Sequence, residues 1–471
     1  MQGENDGIFL KGIALSYSRL TNYIMNKAPF LLVVMALVWG SLSAQTMNRW
    51  KIPDLSGDNM IVREWTPYFT MGYGTTHDGE GCFFIQGVYP SQVMTATLPR
   101  GYTVTDFRIL HDTVFFCGTD AVSNYGIVGL FDIYALFTGT GNINYGYLYQ
   151  LLSTPQYDVR PKRMDLFSCR GVTHIAFVGD LIYTYAASPQ VLSTVGDAYW
   201  GGTTWIVDYY DESARPMSYT DVAASGSHIV VPAKKNNSNE FFVEVFEPST
   251  DMLTTRMNPG HIFKITGDYP MDDIVVDDTN ADDFALAYHY VSGGTAGSAV
   301  QLLHVNTLLH TVSVTHTLHA PHGTGTLYSS AWKVKQLCMD NVSHRLLLLH
   351  DANSSVVATV ESTISKYDIS TPIPSLLNLS YVQGVRLDRM DASSTGGYWT
   401  IGLDTPMLTL TKESYPSIII CRKEYQLGIN ISSDAAVDVP LDVLTVGPIN
   451  NINNTMAASI GRLPIELYCD E

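Results

Sequence analysis

Residues 106–118 read DFRILHDTVFFCG: an Asp and an apolar residue, a polar turn at His111-Asp112, then a dense apolar run. An extended opening, a turn and a stretch of aromatic and β-branched residues spell a β-hairpin. The same pattern returns along the chain. Its openings are Asp106-Phe107, Asp165-Leu166, Asp221-Val222, Asp273-Ile274, Gln336-Leu337 and Gly384-Val385. The strands that follow are Thr113–Gly118, Thr173–Gly179, His228–Ala233, Asp283–Tyr288, Arg345–His350 and Tyr398–Leu403. From Asp106 to Gly384 the steps are 59, 56, 52, 63 and 48 residues, a spacing that fits one four-stranded antiparallel blade with its loops.

Further strand signals lie between the hairpins, at Gly126–Ile133, Trp205–Tyr210, Glu240–Phe246, Ala299–Val305, Ser355–Val360 and Ser417–Cys421. They read as third strands of the same units. Loops such as 138–144 (TGTGNIN), 234–239 (KKNNSN) and 292–298 (SGGTAGS) carry the turn residues. No amphipathic helix is expected after Gln45. A row of such sheets exposes unpaired edges, and closing it radially around a channel removes that problem. The expected fold is therefore all-β, a β-propeller of four-stranded antiparallel blades, seven in number with six or eight as alternatives. A pair of β-sandwich domains is the competing architecture. Gly81–Gly87 and Gln92–Leu98 precede the first repeat by too little for a whole blade. C-terminal strands such as Asp442–Gly447 and Ile460–Tyr468 are expected to complete that partial blade and close the ring.

The N-terminal region carries a second signal. Met25-Asn26-Lys27 leads into an uncharged apolar run, Ala28–Leu42, that ends Leu42-Ser43-Ala44-Gln45. A basic start, an apolar core and small residues before a cut after Ala44 match a secretory signal peptide. The run is short of the roughly 20 residues that span a bilayer, so an uncleaved anchor is the weaker reading. Residues 1–44 are thus expected to be a signal peptide, with translation beginning at Met25, and 45–471 a single propeller domain. No Cys follows the cut, which speaks against a lipoprotein anchor.

The chain is 46% hydrophobic and 15% charged, with 37 Gly and 28 Tyr, and its formal charge is −18. Such a field repels a polyanion, so nucleic acid is not expected as a partner. The acidic, Tyr-rich composition suits cations, neutral glycans or proteins. The six cysteines (Cys82, Cys117, Cys169, Cys338, Cys421, Cys469) show no CxxC spacing, so neither zinc nor redox chemistry is indicated. If the chain ends meet, Cys82 and Cys469 could pair as a disulfide.

The pattern FRILHDTVFFCGT with GIVGLFDI, behind an LSAQ signal end, resembles secreted β-propeller-type proteins of Bacteroidetes bacteria. The resemblance covers roughly residues 66–471. It implies export in a Gram-negative cell, to the periplasm, the cell surface or beyond, and it carries over no catalytic residue.

Residue patterns that could carry chemistry are few. Asp278, Asn280 and Asp282 have the alternate-position oxygens of a calcium loop. Asp283 stands at the usual glycine position and His289 at that of the bidentate Glu, so a solvated turn is the better reading. Eight of thirteen histidines crowd the middle of the chain (His289, His304, His310, His316, His319, His322, His344, His350), and His316, His319 and His322 form HxxHxxH. On a strand, steps of three alternate faces, so these rings diverge unless 320–326 curls as a loop. Gly293–Gly297 has nucleophile-elbow spacing with Thr295 in place of Ser, between two strands, and reads as a hairpin loop. No phosphate-binding loop occurs, and one sequence cannot choose a glycosidase carboxylate pair.

The expected site therefore has no metal and no cofactor, and its catalytic residues are undetermined. Two function classes remain: a non-catalytic binding or scaffold propeller holding a protein or a glycan, and a carbohydrate-active hydrolase or lyase at the channel mouth. Carboxylates clustered with a His or Tyr in that mouth favour the enzyme. An apolar or Gly-lined channel favours binding.

Overall fold

The computed structural model describes residues 48–87, 92–151, 156–169, 171–183, 190–203, 205–211, 217–226, 228–247, 258–264, 269–277, 279–292, 295–306, 309, 311–319, 334–340, 342–351, 360–383, 386–394, 397–404, 407–413, 431–432, 437–439, 445–448, 453–464 and 466–468. The fold is an all-β propeller of antiparallel sheets. β1 (Asn48–Ile52) comes first in the chain but belongs to the last sheet, as described below. The first meander is β2 (Leu55–Thr66), β3 (Phe69–Thr76), β4 (Gly81–Gly87) and β5 (Gln92–Thr97). The next two are β6 (Tyr102–Leu110), β7 (Thr113–Asp120), β8 (Tyr125–Asp132), β9 (Ile143–Leu151), then β10 (Gln156–Cys169), β11 (Val172–Tyr183), β12 (Gln190–Trp200), β13 (Trp205–Asp211). These two are joined into one ten-stranded sheet by pairing of Gln156–Asp158 with Tyr149–Leu151.

There follow β14 (Met217–Tyr219), β15 (Ala223–Ala224), β16 (Ile229–Lys235), β17 (Phe241–Glu247) and β18 (Asn258–Lys264). The fifth meander is β19 (Met271–Val276), β20 (Asp283–Ser292), β21 (Thr295–Asn306) and β22 (Thr311–His319). After it come β23 (Val334–Asp340), β24 (Arg345–Asp351), β25 (Val360–Asp368) and β26 (Ser375–Gln383). The last sheet is β27 (Arg386–Ala392), β28 (Tyr398–Asp404) and β29 (Met407–Glu413), completed by β1, which pairs with β29 over Asn48–Ile52. The described strands thus lie in six hydrogen-bonded sheets.

The remaining strands form an outer belt. β30 (Ile431–Ser432) pairs with β22, β31 (Val437–Val439) with β18, and β32 (Thr445–Pro448) with β13. β33 (Asn453–Met456) pairs with β9, β34 (Ser459–Pro464) with β5, and β35 (Glu466–Tyr468) with β1. The C-terminal chain therefore visits the meanders in reverse order, adding one antiparallel strand to each except β23–β26. An outer edge is a row of unpaired N–H and C=O groups, and the belt satisfies part of it.

Each expected repeat strand lies within a second strand of a meander, from β7 to β28, except that His228 precedes β16 by one residue. Three expectations are corrected. The segment before the first repeat is a whole meander, because β2 and β3 supply the strands the reading lacked; Gly57, Gly72 and Gly74 dilute their apolar signal. The composite sheet is the last one, closed by β1 with β35 on its edge, while β34 adds to the already complete first meander at β5. Trp205–Tyr210 is a fourth strand and not a third; of the expected third strand Ser355–Val360 only Val360, where β25 begins, is among the described residues. A helical turn, α1 (Ile133–Phe137), also follows β8, where Asp132 Oδ1 accepts the Ala135 N–H at 2.7 Å and caps it. Ser417–Cys421 and Gly384-Val385 lie outside the described residues.

The core is divided among the faces between neighbouring meanders. Tyr73, Phe83, Phe107, Phe116 and Phe131 pack between the first and second, with edge-on ring pairs 5.1–5.5 Å apart at Phe83. Ile52, Phe84, Trp399 and Ile401 pack between the last and the first and so close the circle. Fully burying one such ring contributes roughly 2–3 kcal/mol. A recurrent device sets these contacts: the rings of Phe84, Phe116 and Phe177 lie flat over Gly72, Gly129 and Gly196 on the adjacent strand, where any Cβ would collide with the ring.

Candidate functional site

The inner strand of each meander carries a polar residue that reaches its neighbour. Asp106 Oδ2 accepts the N–H of Met164 (3.2 Å), Asp165 Oδ2 that of Ala224 (3.0 Å), and Asp221 Oδ2 that of Ile274 (3.2 Å). Asp273 accepts the N–H of Leu337, and Asp391 Oδ2 accepts that of Glu64 at 2.7 Å. Gln336 does the same work with an amide: its Oε1 accepts the Met390 N–H (2.8 Å) and its Nε2 donates to the Met390 carbonyl (3.0 Å). Arg63 joins the first meander to the second, with Nε donating to the Phe107 carbonyl (3.0 Å) and Nη2 to Asp106 Oδ1 (3.1 Å). The links form a closed cycle around the propeller axis.

Arginines are interleaved with these carboxylates. Arg108 Nη1 lies 3.2 Å from Asp106 Oδ1 and its Nε 3.2 Å from Asp165 Oδ1, while Arg63 Nη1 is 3.8 Å from Asp391 Oδ1. Burial pushes the carboxyls of Asp106 and Asp391 up to about 7, against the pull of neighbouring arginines. Asp273 is held well above the usual carboxylate range by burial and by the carboxyl of Asp221 beside it. Every one of these carboxylates has an oxygen engaged by a backbone N–H of the next meander. The axial wall is thus neither an acid–base cluster with a His or Tyr nor an apolar or Gly-lined tube.

The repeat openings Asp106, Asp165, Asp221, Asp273 and Gln336 are therefore the residues of this cycle. Sequence reasoning missed two members. Asp391 stands seven residues before Tyr398, the same offset that separates Asp221 from His228, and was available to the eye. Arg63 breaks the Asp pattern and had no comparable signal.

The other expected sites disperse. Asn280 Nδ2 donates to Asp283 Oδ2 (2.6 Å), and Asp282 Oδ1 lies 3.2 Å from His228 Nε2. The turn ties its oxygens up locally; Asp278 lies outside the described residues. Among the described residues no group of three His, Cys, Asp or Glu side chains is placed to hold a metal ion. His316 and His319 fall on opposite faces of β22. His316 lines a cavity of about 180 Å³ with Asp277, Asp283, Thr315 and Met339, whereas His319 Nδ1 lies 3.4 Å from the Tyr290 hydroxyl. His310 and His322 lie outside the described residues. His289 and His304 meet Asp272 and Asp283 at 2.9 and 2.7 Å, and burial lowers His350 to about 3, keeping its ring neutral.

Thr295 directly faces Ser292 across the β20–β21 hairpin, as a hairpin loop requires. Cys82, Cys117 and Cys338 are free thiols. Cys82 is buried beside Phe84 and pushed up to about 11, and Cys117 to about 12, so neither is activated as a nucleophile. The proposed partner of Cys82, Cys469, lies outside the described residues.

Two aromatic groups were not foreseen. Tyr102, Tyr145 and Tyr147 share hydroxyl contacts of 2.9 and 3.2 Å, and Tyr147 donates to Asp120 at 2.9 Å. At the opposite end of these strands, Trp65 packs on Tyr134 and Phe69 at 4.9 and 5.9 Å, and its Nε1 donates to Asp112 Oδ1 at 3.0 Å. No helix among the described residues is long and apolar enough to cross a membrane. No protein-family model matches the chain, and no curated protein matches it either.

Proposed function

We propose that the chain is an exported, non-catalytic β-propeller that binds or scaffolds a protein or a glycan. The observation that carries this reading is the axial cycle. The carboxylates a glycosidase would need at the channel are committed to backbone N–H groups and arginines of neighbouring strands, so they bear on holding sheets together. Surface loops and aromatic side chains on this rigid frame are then the parts available to a partner. The apolar run Ala28–Leu42 before Ala44 supports export.

We further read the architecture as seven blades. The ten-stranded sheet holds two four-stranded meanders, β6–β9 and β10–β13, that share only the Gln156–Asp158 pairing. Each has its own axial carboxylate, Asp106 or Asp165, and an apolar layer including Cys117, Val128, Ile175 and Phe177 lies between them. An experimental structure checks the count.

The function is tested with the mature chain from Gln45 on a glycan array, with bound sugars then examined by mass spectrometry. Binding without turnover supports the reading, and cleavage overturns it in favour of a carbohydrate-active enzyme. A protein partner is sought by pull-down from the producing cell's envelope.

A further inference from the structure

The end of the propeller formed by the β2–β3 turn, the β6–β7 turn and α1 gathers an unusual share of exposed apolar surface. Tyr68 is 69% exposed, Tyr134 57%, Phe69 43% and Leu110 38%. Trp65 lies among them, held by its bond to Asp112 and by contact with the rings of Phe69 and Tyr134. Large apolar side chains left together on a surface mark an interaction site more often than a packing fault, and Trp and Tyr are the residues that anchor such contacts.

The charge around this patch is one-sided. Residues 65–70, 109–113 and 131–141, which build it, contain Asp112, Asp132 and one His, His111, and neither Lys nor Arg, while the nearby Glu64 carboxylate is held by Ser394 and Trp399. Rings edged by carboxylates attract a cation twice, through the π faces and through the acid groups. The rings are also inclined to one another, by 67° for Trp65 with Tyr134 and 49° for Trp65 with Phe69, so they form no flat platform for a sugar. We infer that this patch docks a basic, Arg- or Lys-bearing peptide segment of a partner protein, its cations seated against Tyr134 and Trp65 and facing Asp112 and Asp132. The inference rests on the binding reading above and names the partner's chemistry.

The test is fluorescence anisotropy of the mature chain with a labelled peptide of alternating Gly and Arg, beside a Gly–Glu peptide of equal length. The wild type should bind the Arg peptide only, and more weakly as salt screens the acid groups. The double variant Tyr68→Ala with Tyr134→Ala should lose about tenfold in affinity, at an unchanged melting temperature because both side chains are exposed. Asp112→Asn keeps the acceptor for Trp65 and should lose a smaller, salt-sensitive fraction. Failure of the wild type to bind the Arg peptide, or equal binding by the double variant, overturns the inference. So does a double variant that loses a glycan ligand instead, since the patch would then be a sugar surface. In each case the wild-type array and pull-down decide separately whether the chain is a binding propeller.

Discussion

The inner and outer rims of this propeller are held by different chemistry. At the axis, side chains reach from one sheet to the backbone of the next, through buried carboxylates, one amide and a set of arginines. At the circumference, backbone pairs with backbone: the belt from β30 to β35 adds a strand to successive edges, and in β34 Ile460 is 41% exposed. An axial link cannot be lost without stranding a buried charge, whereas a belt strand that peels away gives its N–H and C=O groups to water. The inner rim should therefore be globally stable and the outer rim locally labile.

The largest effect that would break this contrast is Asp106→Ala. It removes the acceptor for Met164 and leaves Arg63 and Arg108 short of a counter-charge, and should cost about 3–5 kcal/mol in denaturant unfolding. A loss below about 1 kcal/mol would place the stabilising weight elsewhere. Met456→Ala, which empties the belt's contact with the core of the first two meanders, should cost about 2–3 kcal/mol. Gln336→Glu keeps the bond from the Met390 N–H but loses the donation to its carbonyl, and should cost about 1–2 kcal/mol.

Proton linkage sharpens the contrast further. Asp106 and Asp391 are raised to about 7 in the fold, so between the ordinary carboxylate range and 7 the native state holds protons that the unfolded chain has released. Their contribution to stability is fullest at the acidic end of that window and is lost as the pH rises through 7. The melting temperature should fall between pH 5 and 8, and a curve that rises there would contradict the assignment. The smallest effect is one of rate. In hydrogen exchange at neutral pH, amides of Ser459–Leu463 should exchange by local opening well before those of Leu346–Leu349, which are fully buried.

How much of this was legible in the sequence follows from the same contrast. Hairpins such as DFRILHDTVFFCG announce themselves because β7 and its counterparts are buried on both faces and so are apolar throughout. The Asp that opens four of the hairpins was visible as a recurrence, but its role was not: only the structure shows its oxygen on the next meander. β2 and β3 were missed because glycine makes room there for Phe84 instead of supplying apolar side chains. The belt was read as ring closure because strands as short as Ile431–Ser432 and Val437–Val439 carry almost no pattern of their own. The Trp65–Tyr134 patch joins residues 69 apart and leaves no periodic trace.

The order in which the belt meets the sheets bears on how the chain is made. Sequence separations of 327 and 335 residues divide Glu64 from Asp391 and Trp399, so the circle can close only when nearly the whole polypeptide has been synthesised. The belt comes later still, and from β30 to β35 it touches the edges of all but the β23–β26 sheet. Residues 431–468, translated after all the sheets, thus sample nearly the entire circumference, and a chain whose sheets were misordered would offer them no continuous track.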